Sequence, residues 1–195
     1  WNDLIDSVKR KYGVQLLDNG SKPFPMFYEE IFLEAIKIDQ TSERDLTAFI
    51  AQSTAKIQPN EIHDLIRSLP VSNIITTNYE FSLEGEKPES NIGLVRETLY
   101  SIFRSYKVGG TLFWHIHGDC NSPDSIDLGY EHYCGQLQRM REYVVSGPNY
   151  QSGKIYKSSL IRRLSGKVTF DQQSWIDLFF SDDVHIFGLS FDFVE

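Results

Sequence analysis

Residues Asn73 to Glu80, Asn-Ile-Ile-Thr-Thr-Asn-Tyr-Glu, constrain the fold more than any other stretch. Apolar β-branched residues follow Pro70, as in a buried strand. The run then turns polar at Thr76, Thr77 and Asn78. Ligands of open α/β sheets bind just beyond the carboxyl ends of the strands, so this polar end is a candidate binding edge. A core strand running into an ordinary polar turn has the same pattern. His115-Ile116-His117-Gly118-Asp119 repeats the transition, and the two stretches read together as lips of one site.

Helical periodicity fills the chain ahead of Asn73. Trp1, Leu4, Ile5 and Val8 recur at helical spacing, with Gly13 as a stop. Asp18-Asn19-Gly20 and Pro23 to Pro25 mark a loop. Tyr28, Ile31, Phe32, Ala35 and Ile36 form one face of a second helix. Ser42 with Asp45 reads as a capping box before Leu46, Phe49 and Ile50. Asn60 caps a short helix carrying Ile62, Leu65, Ile66 and Leu69, with His63 expected on its exposed side.

Beyond Glu80, residues 81–84 can open another helix, and 85–91 read as a loop. Residues 94–106 fit helix or strand. The Val108-Gly109-Gly110 turn before Thr111–Ile116 favours a hairpin and so a strand. Asn121–Asp124 is a turn, and Ser125–Leu128 a short extended piece. Tyr130–Val144 is a predicted helix with Tyr133, Leu137, Met140 and Val144 on one face. Ser174 caps Trp175–Phe180. Val184–Leu189 reads as a third apolar strand. The alternation predicts an α/β fold: a Rossmann-like parallel sheet with flanking helices and a helical insertion.

Composition narrows the function. One domain spanning 1–195 suits the length, and 41% apolar residues can form a sizeable core. A net charge of −8 argues against a duplex-binding protein, which needs a basic footprint. Lys154, Lys157, Arg162, Arg163 and Lys167 are a local exception, read as a solvated face or else a phosphate contact. No apolar run is long enough for a membrane span, and no signal peptide is visible, which predicts a cytoplasmic protein. Two cysteines, Cys120 and Cys134, rule out a Cys₄ zinc module. Cys120, near His117, is a possible nucleophile or a small buried thiol.

Each predicted strand end supplies small or polar groups: Thr76, Thr77 and Asn78; His117, Gly118 and Asp119; Gly188, Ser190 and Asp192. Glycine lets backbone approach a ligand. Hydroxyls and an amide hold ribose or phosphate oxygens, and histidine takes a proton near neutral pH. The set suits a nucleotide.

Thr76-Thr77-Asn78-Tyr79-Glu80 resembles the TTNYD motif of bacterial sirtuin-like domains, the NAD-consuming modules of anti-phage defence proteins of the Thoeris-effector type. Trp114 to Asp119 resembles that family's HG motif, with His117 as its histidine. Phe187-Gly188-Leu189-Ser190-Phe191-Asp192 is similar to its closing GxS segment. Trp1-Asn2-Asp3-Leu4-Ile5 is similar to the helix that follows its glycine-rich GAGxS loop. Glu80 stands where the motif has aspartate. The strand and glycine-rich loop that the family places ahead of that helix, and the helix after Ser190, are missing from these residues. A single NAD-binding domain lacking both ends is therefore expected.

The resemblance implies an NAD+ glycohydrolase that cleaves the nicotinamide–ribose bond and depletes NAD in anti-phage defence. Asn78 and His117 would be catalytic. Thr76, Thr77, Glu80, Gly188, Leu189 and Ser190 would bind the dinucleotide. NAD+ would be a substrate, and no metal or zinc would be needed. Control would come from self-association or from sensor domains or subunits, with no direct nucleic-acid or membrane partner. Alternatives are an NAD-dependent protein deacylase, a non-catalytic nucleotide-binding sensor or assembly domain, and a metal-dependent hydrolase. The last would use His115 and His117, which a strand would point to one face, with Asp119 or His132 as third ligand. His132 and His185 otherwise read as structural.

Overall fold

The computed structural model describes residues 2–16, 22–39, 41–85, 88–90, 97–147, 158–167 and 170–188. Helix α1 (Asn2–Tyr12) buries Ile5, Val8 and Tyr12 and ends at Gly13, whose φ is +70°. Of the predicted face of helix α2 (Phe24–Asp39), Tyr28, Ile31 and Ala35 are buried, Phe32 is half-buried and Ile36 is exposed. The helix begins earlier than expected. The Pro23 carbonyl accepts from the Met26 and Phe27 amides, so Pro25 lies in the first turn, where a missing N–H costs nothing. Helix α3 (Glu43–Thr54) starts at the predicted capping box. Asp45 N–H donates to Ser42 Oγ at 3.2 Å, and Ser42 N–H returns the bond to Asp45 Oδ2 at 3.2 Å. These helices pack into one core with Tyr79, Ile126 and Leu128 from the loops at the end of the sheet.

Helix α4 (Glu61–Arg67) is capped by Asn60, and His63 completes the cap: Asn60 N–H donates to His63 Nδ1 at 2.9 Å. The expected apolar face is not buried. Ile62, Leu65 and Leu69 are exposed, and Ile66 alone of that set packs against the core. The helix is held through Arg67, whose Nη1 donates to Ser82 O at 2.6 Å.

Strands β1 (Asn73–Thr76), β2 (Glu89–Ser90), β3 (Tyr106–Val108) and β4 (Thr111–His115) form one sheet in the order β1-β4-β3-β2. The β1–β4 pair is parallel and the other two pairs are antiparallel. The fold thus mixes helix and strand around a small mixed sheet, where an all-parallel sheet was expected. The predicted β3–β4 hairpin is present, but residues 97–105 are irregular and not strand. Glu97 stops a ladder there, because its carboxylate accepts from the Ile102 and Phe103 amides at 3.2 and 3.0 Å. Residues 81–84 form a turn in place of a helix, and part of 85–91 is β2.

Alternation places Ile74, Phe113 and Tyr106 on one face of the sheet with Phe81 and Leu83. Ile75, Leu112 and Trp114 pack on the other face. They meet helix α6 (Leu160–Arg162), helix α7 (Trp175–Ser181) and Tyr143, just after helix α5 (Tyr130–Arg141). Ser174 caps α7 as predicted. Helix α5 buries His132 and Gln136, while Leu137 is 63% exposed, so the buried face is rotated from the expected one.

Arg163, read in the sequence as part of a solvated basic face, is 1% exposed. Its Nη2 lies 2.9 Å from Asp177 Oδ1, and its Nη1 donates to Asp171 O at 3.1 Å. Tyr143 Oη donates to Asp177 at 2.8 Å and accepts from Arg163. Asp177 also accepts from the Gln173 and Ser174 amides. Those bonds compensate the loss of water around both charges.

The described part of the expected Val184–Leu189 strand, residues 184–188, is not strand. Residues 183–187 have no regular structure, and Ile186 is 63% exposed. A parallel strand needs a ladder partner, and β1 pairs only with β4 among the described residues. Trp1, Asp18–Gly20, Asn91, Lys154 and Lys157 lie outside the described residues.

Removing the Asp177 carboxylate leaves Arg163 charged and unpaired in the core. Asp177→Ala should destabilise the protein by about 3–5 kcal/mol, and Tyr143→Phe by about 1 kcal/mol, in urea unfolding.

Candidate functional site

The parallel pairing of β1 with β4 sets Thr76 opposite His115, and Ile116 N–H donates to Thr76 O at 3.0 Å. Asn78 and His117 each lie two residues beyond this matched pair. Both therefore leave the same carboxyl edge of the sheet. The two sequence stretches are therefore adjacent at that edge.

His115 ties the lips together. Its Nδ1 is 2.7 Å from Asn78 O, and its Nε2 is 2.7 Å from Glu84 Oε1. A carbonyl only accepts, so Nδ1 carries a proton. Burial disfavours charge on this ring, but the hydrogen bond and charge of Glu84, with the Asn78 carbonyl, outweigh it and raise its pKa. His115 is therefore held towards the imidazolium form, donating from both nitrogens. Its stabilising contribution is complete below the ordinary value of 6.5 and declines as pH rises through the higher folded value.

Beyond the clamp, Thr76 Oγ1 accepts from Asn78 N–H at 3.0 Å. That bond shapes the turn and leaves Asn78 and Thr77 exposed. Asn78 Nδ2 donates to the buried Glu80 Oε1 at 3.2 Å. Thr76 and Glu80, expected to touch ligand, thus hold Asn78 in this arrangement. Three further bonds join the lips: Cys120 N–H to Tyr79 O at 2.8 Å, Asp127 N–H to His117 O at 2.9 Å, and Tyr79 Oη to Asp127 O at 3.1 Å.

Gly118 makes the turn after His117 with φ +87°. A Cβ there would sit 2.0 Å from Ser125 O. The close approach this glycine permits is to the chain's own backbone.

His117 is half-buried. Its Nδ1 lies 3.3 Å from Gln136 Oε1, and its ring packs on Tyr133 with centroids 5.2 Å apart. Burial lowers its pKa, partly offset by the Gln136 hydrogen bond, and so favours neutral imidazole. Nε2 has no hydrogen-bond partner among the described residues. The ring can accept a proton there.

His115 and His117 do not share a metal-binding face. Strand β4 ends at His115, so the alternation that would align them stops before His117. Asp119 accepts from Tyr106 Oη at 2.8 Å and pairs with Arg104, and His132 Nδ1 accepts from Leu128 N–H at 2.9 Å while Nε2 meets Glu43. No three His, Cys, Asp or Glu side chains converge among the described residues. Cys120 is a poor nucleophile, since burial and then Asp119 push its thiol up to about 11. Gly188 (φ +71°) lies outside the sheet, and Leu189, Ser190 and Asp192 lie outside the described residues.

Sequence reasoning missed four residues here: Glu84, Asp127, Tyr133 as a contact of His117, and Gln136. The available signal was the polar i, i+4 pair His132 and Gln136 within a helical run. Asp127 is 1% exposed, and neither carboxyl oxygen has a hydrogen-bond partner among the described residues. Burial pushes it up to about 7, although the nearby Tyr100 amide, outside hydrogen-bond geometry, and Arg104 pull the other way.

No family model, characterised protein or solved structure matches this chain. Among the described residues no helix is long and apolar enough to cross a membrane.

Gly118→Ala should destabilise the protein by more than about 3 kcal/mol, because it adds a backbone clash to a positive φ. Thermal melting would check this. The charge-dependent cost of Asp127 is absent at low pH, grows as pH rises from the ordinary value of 3.8 to about 7, and is constant above that. Asp127→Asn should therefore melt higher than the parent at pH 8, and lose that advantage near pH 4.

Proposed function

We propose that the chain is an NAD+ glycohydrolase that cleaves the nicotinamide–ribose bond, an NAD-depleting effector of bacterial anti-phage defence. The observation that carries this reading is the Thr76–His115 register. It brings to one sheet edge an exposed asparagine and a histidine whose Nε2 has no hydrogen-bond partner among the described residues. The TTNYE and HGD segments thus stand side by side, as a Rossmann-like nucleotide site of the sirtuin-like kind requires. The same reading takes the protein as cytoplasmic and as controlled by self-association or by partner domains or subunits.

The chemistry follows from the charges. When the bond from the ribose C1′ to nicotinamide breaks, both electrons leave with the nicotinamide nitrogen. That group departs neutral and needs no proton. Positive charge builds on the ribose, as in other glycoside cleavages. The oxygen of a water molecule then bonds to C1′ and releases a proton, which His117 accepts at Nε2. The products are nicotinamide, ADP-ribose and one proton, later passed to solvent. Asn78 orients the water or a ribose hydroxyl through its amide, and Glu80 holds that amide in place. Thr77 is free to contact the dinucleotide. A neutral His117 suits the role, because it is available as a base without first losing a proton.

Incubation with NAD+ and measurement of free nicotinamide tests the assignment, using the longest soluble form of the protein. Nicotinamide should appear with ADP-ribose in the absence of any acylated peptide. Asn78→Ala and His117→Ala should each lower the rate by at least about 100-fold. Full activity in either variant would overturn the mechanism. Nicotinamide release only with an acyl-lysine peptide would indicate a deacylase, and NAD+ binding without turnover a sensor. The lowered pKa of His117 predicts that the acid limb of the rate profile lies below 6.5.

A further inference from the structure

Gln136 is 5% exposed and lies on the buried side of α5. Its two ends have different partners. Nε2 lies 2.7 Å from Ile116 O, and Oε1 lies 3.3 Å from His117 Nδ1. A main-chain carbonyl has no proton to give, so the amide nitrogen must face Ile116. The amide oxygen must therefore face His117. An amide oxygen only accepts, so His117 Nδ1 must carry the proton. Only one orientation of the Gln136 amide satisfies both bonds.

We propose that Gln136 is a positioning residue that fixes His117 as the Nδ1–H tautomer and so directs its lone pair, at Nε2, to the open side of the site. The anchor at Ile116 is one residue from His117, so the glutamine spans backbone and ring of the same lip. Tyr133, on the same helix, closes off a face of the ring. Helix α5 thereby sets both the rotation and the protonation of His117. A histidine in the opposite tautomer would present N–H to the water and could not accept its proton. The consequence for catalysis rests on the glycohydrolase reading, whereas the tautomer does not.

Two measurements test this separately. Nitrogen NMR of ¹⁵N-histidine-labelled protein at pH 8 reads the tautomer without substrate. The wild-type His117 signals should report Nδ1–H, with a non-protonated Nε2. In Gln136→Met, which keeps the volume but removes the acceptor, a substantial Nε2–H population should appear. An Nε2–H wild-type ring, or an unchanged Nδ1–H ring in Gln136→Met, would overturn the proposal. These outcomes stand whether or not NAD+ is cleaved. Where nicotinamide release is measurable, Gln136→Met should lower kcat about tenfold with KM nearly unchanged. In Gln136→Glu, a carboxylate against Nδ1–H should raise the His117 pKa and move the acid limb upward. An unmoved limb would count against the role, and its expected shift survives a failure of Gln136→Met to fold.

Discussion

The buried contact from His115 to Asn78 O and Glu84 is the interaction on which the site depends. Hydrogen bonds between strands end at the Thr76–His115 pair and the Ile116 amide. Past that point the lips are joined by the His115 contacts and by the bonds of Tyr79 to Cys120 and Asp127. His115 carries the coupling beyond the ladder, using one nitrogen for the Asn78 carbonyl and the other for Glu84. Removing either partner would leave a polar group buried without compensation. The imidazole also packs between Phe81 and Tyr106, so the same ring belongs to the apolar core and to the polar network. One histidine of the pair at 115 and 117 is thereby committed to structure, and the other keeps a nitrogen with no partner among the described residues.

Around that clamp the molecule is polar inside to an unusual degree. Asp119 with Tyr106 and Arg104, and Asp177 with Arg163 and Tyr143, are buried networks with most of their capacity used. Such networks specify one arrangement, because a partly made one is costly. Asp127 departs from this, with a carboxyl that has no hydrogen-bond partner among the described residues. Its main chain still joins His117 to Tyr79. Position 127 therefore contributes to the site through its backbone, at the expense of stability above neutral pH.

The elements legible in the sequence are those governed by local rules. The caps at Ser42, Asn60 and Ser174 and the stop at Gly13 depend on bonds within one turn. Strand β1, strand β4 and their polar ends were readable because their apolar runs break abruptly. Partners distant in sequence were not readable. Arg163 looked like one more surface cation until Asp177, 14 residues away, covered it. Helix α5 looked apolar along Tyr133, Leu137 and Met140, yet it buries His132 and Gln136, because the surface it meets offers a backbone amide at Leu128 and a carbonyl at Ile116. Val184–Phe187 has strand character but no ladder partner among the described residues, and strand character alone does not make a strand.

What the sequence determined by itself is most of the helices and caps and two strands that turn polar, which follow from spacing and from the conformational preferences of single residues. Asn78 and His117 became candidate site residues through those polar strand ends and the family resemblance of the segments that carry them. Only the tertiary structure decided which histidine has both ring nitrogens engaged and which keeps Nε2 without a partner among the described residues. It also decided that Gly118 accommodates Ser125 O, and that Glu80 and Gln136 hold the two site residues. Those outcomes depend on hydrogen-bond partners and steric contacts brought together by the register of β1 on β4 and the packing of α5. A linear pattern contains no such distances.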